Sequence, residues 1–386
     1  MLRRFPLAFI GKCGSGVISA AACVVAAVVW ASGTALAQSQ ITPGAPSVPL
    51  TAPALANGVQ NRITYQFGTE FVTIGAAGNN NWTPSPLASD NMRGHGGIAY
   101  EYRIGRTEIT TSQWVAFMNA ACGRSDSIPW ISIPSTWGAA ADPTYSGPGR
   151  RWIAVPGREN YGVGDISWRA AAIYCNWLHN NQSTERSAFL SGAYAVSTFG
   201  APGIAFTDQA AHSPDARFWI PTMGEWMKAA YYDPNKPSTG DPGRDGWWRY
   251  ANGTNTSPIY GAPWSGGEAN SGFTTAINGV DATEIPLMSY VNVQSPWGVM
   301  DLMGGTREWT ETLSNNGPGY RERMVCGAAW TAPVDPIFTN RLGFAGSGYP
   351  SDEGYVVGFR IAASVPTPGT AAVLAVGALV MGRRRR

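Results

Sequence analysis

The side chains that could do chemistry in this sequence are few and scattered. Only three histidines occur, His95, His179 and His212, with no two close together and no His-x-x-x-His-x-Glu grouping. An iron centre built on a local histidine cluster is therefore not expected. Of five cysteines, Cys13 and Cys23 lie near the N-terminus, which leaves Cys122, Cys175 and Cys326 further along. Three thiols can form at most one disulfide within the chain, and no Cys-x-x-Cys is present, so neither a redox pair nor a disulfide scaffold is indicated. Asp165, Glu225 and Glu311 could serve as general acids or bases, but no spacing pairs them. Trp82, Trp130, Trp137, Trp247, Trp248 and Trp264 stand near Gly, Pro, Ser or Asn, as loop residues do. Exposed there, they could stack on sugar rings; packed inward, they would hold long loops together.

Three helices must position these groups. Thr110 and Gln113 form a capping box, and Trp114, Phe117, Met118 and Ala121 follow at helical spacing. Ser167 can cap a helix from Trp168 to His179, whose apolar side includes Tyr174, Cys175 and Leu178. Cys175 thus reads as a core thiol, and His179 as an ordinary helix C-terminal residue. Thr222 and Glu225 form a second capping box ahead of Trp226, Ala229 and Ala230. Expected strands are short: 71–74, 100–104, 323–325 and 356–361. With 47 glycines, 28 prolines and 16 tryptophans, the composition indicates an α+β domain with little regular structure and long ordered loops.

The two ends read as sorting segments. Arg3, Arg4 and Lys12 precede an apolar stretch from Val17 to Trp30 and the small-x-small site Ala35-Leu36-Ala37, the order of a secretory signal over residues 1–37. Residues 38–60, rich in Pro, Ala, Ser and Thr, form an expected flexible lead-in. The domain is expected over 61–363. Residues 364–386 pair an uncharged run, Ala371 to Met381, with four terminal arginines. That run spans only about 17 Å as a helix, short of a hydrocarbon core of roughly 30 Å. The whole chain carries +2; without the three leader cations and the four terminal arginines the part between is at about −5. Nucleic-acid backbone binding is not expected of it.

Six blocks in order now carry a resemblance. They are Tyr102 to Thr110 with Trp114 to Ala120; Asp165 to Trp168 with Tyr174 to Leu178; Phe218 to Trp226; Gly298 to Trp309; Gly327 to Trp330; and Gly358-Phe359-Arg360. The chain resembles the sulfatase-modifying-factor, or formylglycine-generating-enzyme, family over roughly residues 67–362. The resemblance implies an α+β, C-type-lectin-like fold. It would place the oxidase's two copper-binding cysteines at Ala332 and about Ile337, where no thiol is present. Formylglycine-generating activity is therefore not expected, nor is copper or iron. Cys326 precedes the block and reads as a buried thiol.

The resemblance also implies a structural calcium held by Asp301, Gly304, Thr306 and Glu308: two carboxylates and two main-chain carbonyls around a glycine turn. The alternative is a turn whose acids pair with Arg307 or Arg323. Asn270 and Asp281 would form a second site. Arg360 is expected to be structural, satisfying buried carbonyls or Glu108. The C-terminal segment resembles a PEP-CTERM sorting signal, with Pro366-Thr367-Pro368 in place of Pro-Glu-Pro, and so implies an exosortase-type partner. The function expected is an exported, non-catalytic scaffold or binding module of the envelope or matrix, with a glycan or exopolysaccharide as partner. The alternative is an enzyme of the superfamily working from another site.

Overall fold

The structure is a computed structural model that describes residues 63–84, 90–133, 138–200, 207–241, 243–271, 285–314, 322–330, 340–354 and 356–366. The expected signal, lead-in and C-terminal apolar run lie outside these residues, as do Trp137, Asp281, Ala332 and Ile337. No helix among the described residues is long and apolar enough to cross a membrane.

In chain order the strands and helices are β1 (Ile63–Gln66), β2 (Thr69–Ile74), β3 (Tyr102–Gly105), α1 (Thr111–Cys122), β4 (Ala139–Ala141), β5 (Trp152–Ala154), α2 (Trp168–His179), α3 (Ser187–Leu190), β6 (Phe218–Trp219), α4 (Met223–Tyr231), β7 (Arg307–Leu313), β8 (Arg323–Cys326), β9 (Gly346–Gly348), β10 (Val357–Gly358) and β11 (Ala362–Ala363). One sheet runs β1-β2-β3-β11-β6 and a second runs β10-β7-β8-β9, while β4 and β5 form a hairpin pair. Most pairs are antiparallel, but β10 lies parallel to β7.

The three capped helices start where their side chains dictate. Thr110 and Gln113 satisfy each other's main-chain N–H, Ser167 accepts from Ala170 N, and Thr222 and Glu225 again close a full box. Each cap supplies partners for amides that a helix start otherwise leaves unpaired. α2 is buried on nearly every side, which its run of small alanines permits. Between α1 and α2, Trp114, Phe117, Tyr174 and Trp177 pack as an aromatic cluster, with the Trp114 and Tyr174 rings stacked at 5.8 Å. Phe359 inserts edge-on against Trp114 and Tyr174.

Two strand expectations are corrected. Residues 356–361 do not form one strand: the chain leaves the second sheet after Gly358, paired with Glu308, and enters the first sheet at Ala362, paired with Ile104 and Trp219. Gly358-Phe359-Arg360 is thus the crossing between sheets, and its two large side chains are what demand the break. Phe359 enters the helix core, and Arg360 satisfies carbonyls of the β3 corner. β7, the longest strand among the described residues, has no counterpart among the expected ones. Its sequence, Arg-Glu-Trp-Thr-Glu-Thr-Leu, lacks apolar alternation because its acids are buried against specific partners.

Candidate functional site

The interior where the two sheets meet holds one sealed ion pair. Glu308, on β7, receives Arg360 Nε on Oε2 at 2.5 Å and Arg360 Nη2 on Oε1 at 2.7 Å, and Trp226 Nε1 also donates to Oε2 at 2.9 Å. Both partners are essentially without solvent contact. Arg360 spends its remaining N–H groups on the carbonyls of Gly105, Arg106, Met300 and Asp301. The fork geometry and the satisfied donors are the conditions under which a buried pair is tolerated. The expectation that Arg360 is structural matches this geometry, but its acid is Glu308 rather than Glu108. Neither Arg307 nor Arg323 pairs with Glu308; Arg323 lies over the Trp168 ring at 3.8 Å.

Beside this pair opens a pocket of about 650 Å³, counting the space open to solvent. Glu108, Asp301, Asn270 and Thr306 face it, with Gly304 and Gly305 in the same wall and Glu268 at its side. Tyr161, Tyr290, Trp330, Ile285 and Leu287 supply the apolar part. Among the described residues three carboxyl groups thus line the pocket, and no Lys, Arg or His does. Glu108 is 2 % exposed; its Oε1 accepts from Thr306 N and Oγ1. Burial, with the nearby charges of Glu308 and Asp301, raises the Glu108 carboxyl well above the usual carboxylate range, against the pull of Arg360. Asp301 takes a left-handed backbone, φ 56°, and its Oδ2 accepts from Met288 N at 2.8 Å. Burial pushes its carboxyl up to about 6. Gly304 is fixed by space: at φ 102° it pairs with Asn270, and a Cβ there would run into the Asn270 main chain.

The four residues assigned to calcium by resemblance therefore part company. Asp301, Gly304 and Thr306 line the pocket, whereas Glu308 does not and has both oxygens occupied. Thr306 uses its N–H and hydroxyl on Glu108. Asn270 joins the same wall, with its carbonyl accepting Gly305 N at 2.9 Å. Glu108 is the residue that sequence reasoning underrated: its position just before the α1 cap gave it only the role of a counter-ion.

A second acid group sits under the first sheet's edge. Glu225 accepts from Thr222, from Trp219 Nε1 and from the Tyr100 hydroxyl. Glu311 accepts from His212 through both the main chain and Nδ1, the latter at 2.8 Å on Oε2, and the His212 ring stacks on Trp219 at 4.6 Å. Burial alone would lower the His212 pKa, but the bond and charge of Glu311 raise it above the ordinary value. His179 is instead an acceptor for Arg217 N, and His95 bridges to Trp82 through its main chain. Among the described residues no group of three His, Cys, Asp or Glu side chains is arranged to hold a metal ion. Cys122, Cys175 and Cys326 are free thiols. Of the loop tryptophans for which both outcomes were open, Trp82 and Trp247 are packed inward, whereas Trp264 and Trp130 are exposed.

The family pattern described as "Sulfatase-modifying factor enzyme 1-like domain" matches residues 72–365, nearly the whole of the described chain. This chain belongs to that family. No curated protein matches it. Among solved structures, a "Crystal Structure of CarF" aligns with 18% identity and a TM-score of 0.50, covering 78% of this chain and 100% of that one. The "Treponema denticola variable protein 1" aligns with 17% identity and a TM-score of 0.48, covering 79% and 99%. "Structure of PvdO from Pseudomonas aeruginosa" aligns with 15% identity and a TM-score of 0.41, covering 79% and 98%. The sulfatase-modifying-factor domain here thus has the α+β, C-type-lectin-like architecture of the formylglycine-generating-enzyme type, with few helices around two small sheets.

Proposed function

We propose that this sulfatase-modifying-factor domain is a non-catalytic, exported binding module of the envelope or extracellular matrix, and that its ligand is a saccharide taken into the acid-lined pocket. The observation that supports this reading is the pocket's composition: carboxyl groups of Glu108, Glu268 and Asp301 beside Tyr290, Tyr161 and Trp330, with no basic side chain among the described residues. Sugar hydroxyls are donors that carboxylates accept, and aromatic faces suit the apolar faces of sugar rings. Export and exosortase-type processing rest on the chain ends, and mass spectrometry of the secreted form would test both termini.

The direct test is calorimetric titration of the full chain with oligosaccharides from bacterial envelope and matrix polymers, with chelator present. Binding that falls at least tenfold in Glu268→Gln and Trp330→Ala supports the reading; no binding to any of them overturns it. One observation favours the enzymatic alternative: Asp301 is held near 6 inside a pocket, the range of a general acid. Cleavage of a bound saccharide by the wild type but not by Asp301→Asn would replace the binding reading with that one.

A further inference from the structure

One side of the pocket belongs to a loop, residues 259–270, that closes on itself. Gly261 N donates to Ala269 O at 3.1 Å, Ala269 N donates to Ile259 O at 3.1 Å, and Ile259 N donates to Glu268 Oε2 at 2.9 Å. Glu268 and Asn270, where the loop returns, line the pocket. Ala262 packs against Ile285 and Tyr290, and the Tyr290 hydroxyl donates to Gly261 O at 2.9 Å. Ile285 and Tyr290 are pocket residues too. The loop is thus held in place by the same side chains that form the pocket.

The far end of the loop is a single tight turn, Pro263–Ser265, that buries none of its residues. Proline sets the backbone angle at its start. Ser265 N and Gly267 N donate back to Ala262 O, and Gly266 N donates to Pro263 O. Gly266 takes φ 80°, and a Cβ on Gly267 would lie 2.0 Å from Gly261 O, so the turn closes in this shape only with glycine there. The bonds that close it are main-chain bonds, and none uses the indole of Trp264. Trp264 nevertheless stands outward, 56 % exposed, whereas Trp114, Trp168, Trp226, Trp297 and Trp309 lie in the core. Ile259 at the loop's root and Val291 beside Tyr290 are exposed as well, 60 % and 55 %. Single exposed apolar side chains need no explanation, but these three stand on the segments that wall one pocket, where exposed apolar surface marks a binding site.

We infer that Trp264 is a second subsite for the pocket's ligand, which is therefore an extended saccharide chain: its end unit enters beside Glu268, Tyr290 and Trp330, and later units run out along the loop to stack on the indole face. The inference rests on the saccharide reading of the pocket and narrows it to a chain of several units. Trp264 is not on the pocket wall, so a ligand confined to the pocket does not touch it. It lies only four residues from Glu268, a reach of at most about 14 Å even for extended chain, so a short oligosaccharide leaving the pocket meets it. The apolar face of a sugar ring suits an indole face, and a tryptophan on a rigid turn loses little conformational entropy on binding.

The test is calorimetric titration of the full chain with mono- to hexasaccharide ladders of envelope and matrix polymers, β-1,4-linked glucose and N-acetylglucosamine among them. The readout is the ratio of hexasaccharide to monosaccharide affinity. Wild type is expected to favour the hexasaccharide by at least about tenfold, and Trp264→Ala to lose about tenfold of that ratio, the worth of one aromatic stack. Trp264→Phe is expected to restore most of it. Glu268→Gln is the contrast, expected to weaken every length by the same factor. Trp264→Ala is expected to unfold at the wild-type midpoint, so a lower ratio cannot be a loss of fold. Binding with no gain beyond a single unit, or a gain that Trp264→Ala keeps in full, overturns this inference and leaves the pocket reading standing. No binding at any length overturns the pocket reading and this inference with it.

Discussion

Two acidic regions of this domain differ in how their charge is met. At the sealed junction, Glu308 has a guanidinium fork and an indole N–H; at the outer edge, Glu311 has His212 and Glu225 has its own helix cap. In the pocket, Glu108 and Asp301 are held, among the described residues, by hydroxyl and main-chain donors alone, with no base among the described residues of the wall. Burial of an acid with a partner builds structure; burial without one leaves a charge that only a ligand, cation or proton can answer. The comparison separates the acids that sequence pattern treats alike: Glu308 belongs to the framework, Glu108 to the site.

Breaking the sealed side is expected to have the largest effect. Arg360→Met leaves Glu308 buried without its counter-ion and strands four carbonyls, and should cost about 3–5 kcal/mol by chemical denaturation. A loss under about 1 kcal/mol would mean the pair is not the anchor described here. Thr222→Ala removes the α4 cap that also orients Glu225, and should cost about 1 kcal/mol in the same assay. The outer pair should sharpen the contrast through pH. The folded-state pKa of His212 is raised, so its contribution is fully present below the unfolded value near 6.5 and fades as pH rises through the folded value. Wild type minus His212→Asn, measured as unfolding free energy from pH 5.5 to 8.5, should therefore shrink with rising pH; a flat difference would show that Glu311 does not hold the protonated ring. The smallest effect is expected at Trp264, exposed on its own turn, where Trp264→Ala should change stability by less than about 0.5 kcal/mol.

The helices were legible because their causes are local. A hydroxyl at the cap satisfies a neighbouring amide whatever the rest of the chain does, with an acid or amide three residues on completing the box at Thr110 and Thr222, and Thr110, Ser167 and Thr222 start their helices as read. β7 and the split of residues 356–361 were not legible. The strand's acids are tolerated only because Arg360, Trp226 and His212, each far along the chain, arrive at the same place. Tryptophans near glycine and proline gave no means of telling the buried Trp82 and Trp247 from the exposed Trp264, since all sit in similar local sequence and burial depends on what the loop folds onto.

By itself, the sequence determined the family, through six ordered blocks, since covalent identity needs no fold. It also placed Asp301, Gly304 and Thr306 together, because six residues around a glycine turn cannot separate far. Only the tertiary structure decided which acid has a partner. Glu108 and Glu308 are 200 residues apart in sequence and share one interior, where Arg360 can reach only one of them with both ends of its fork; the other is left facing the pocket.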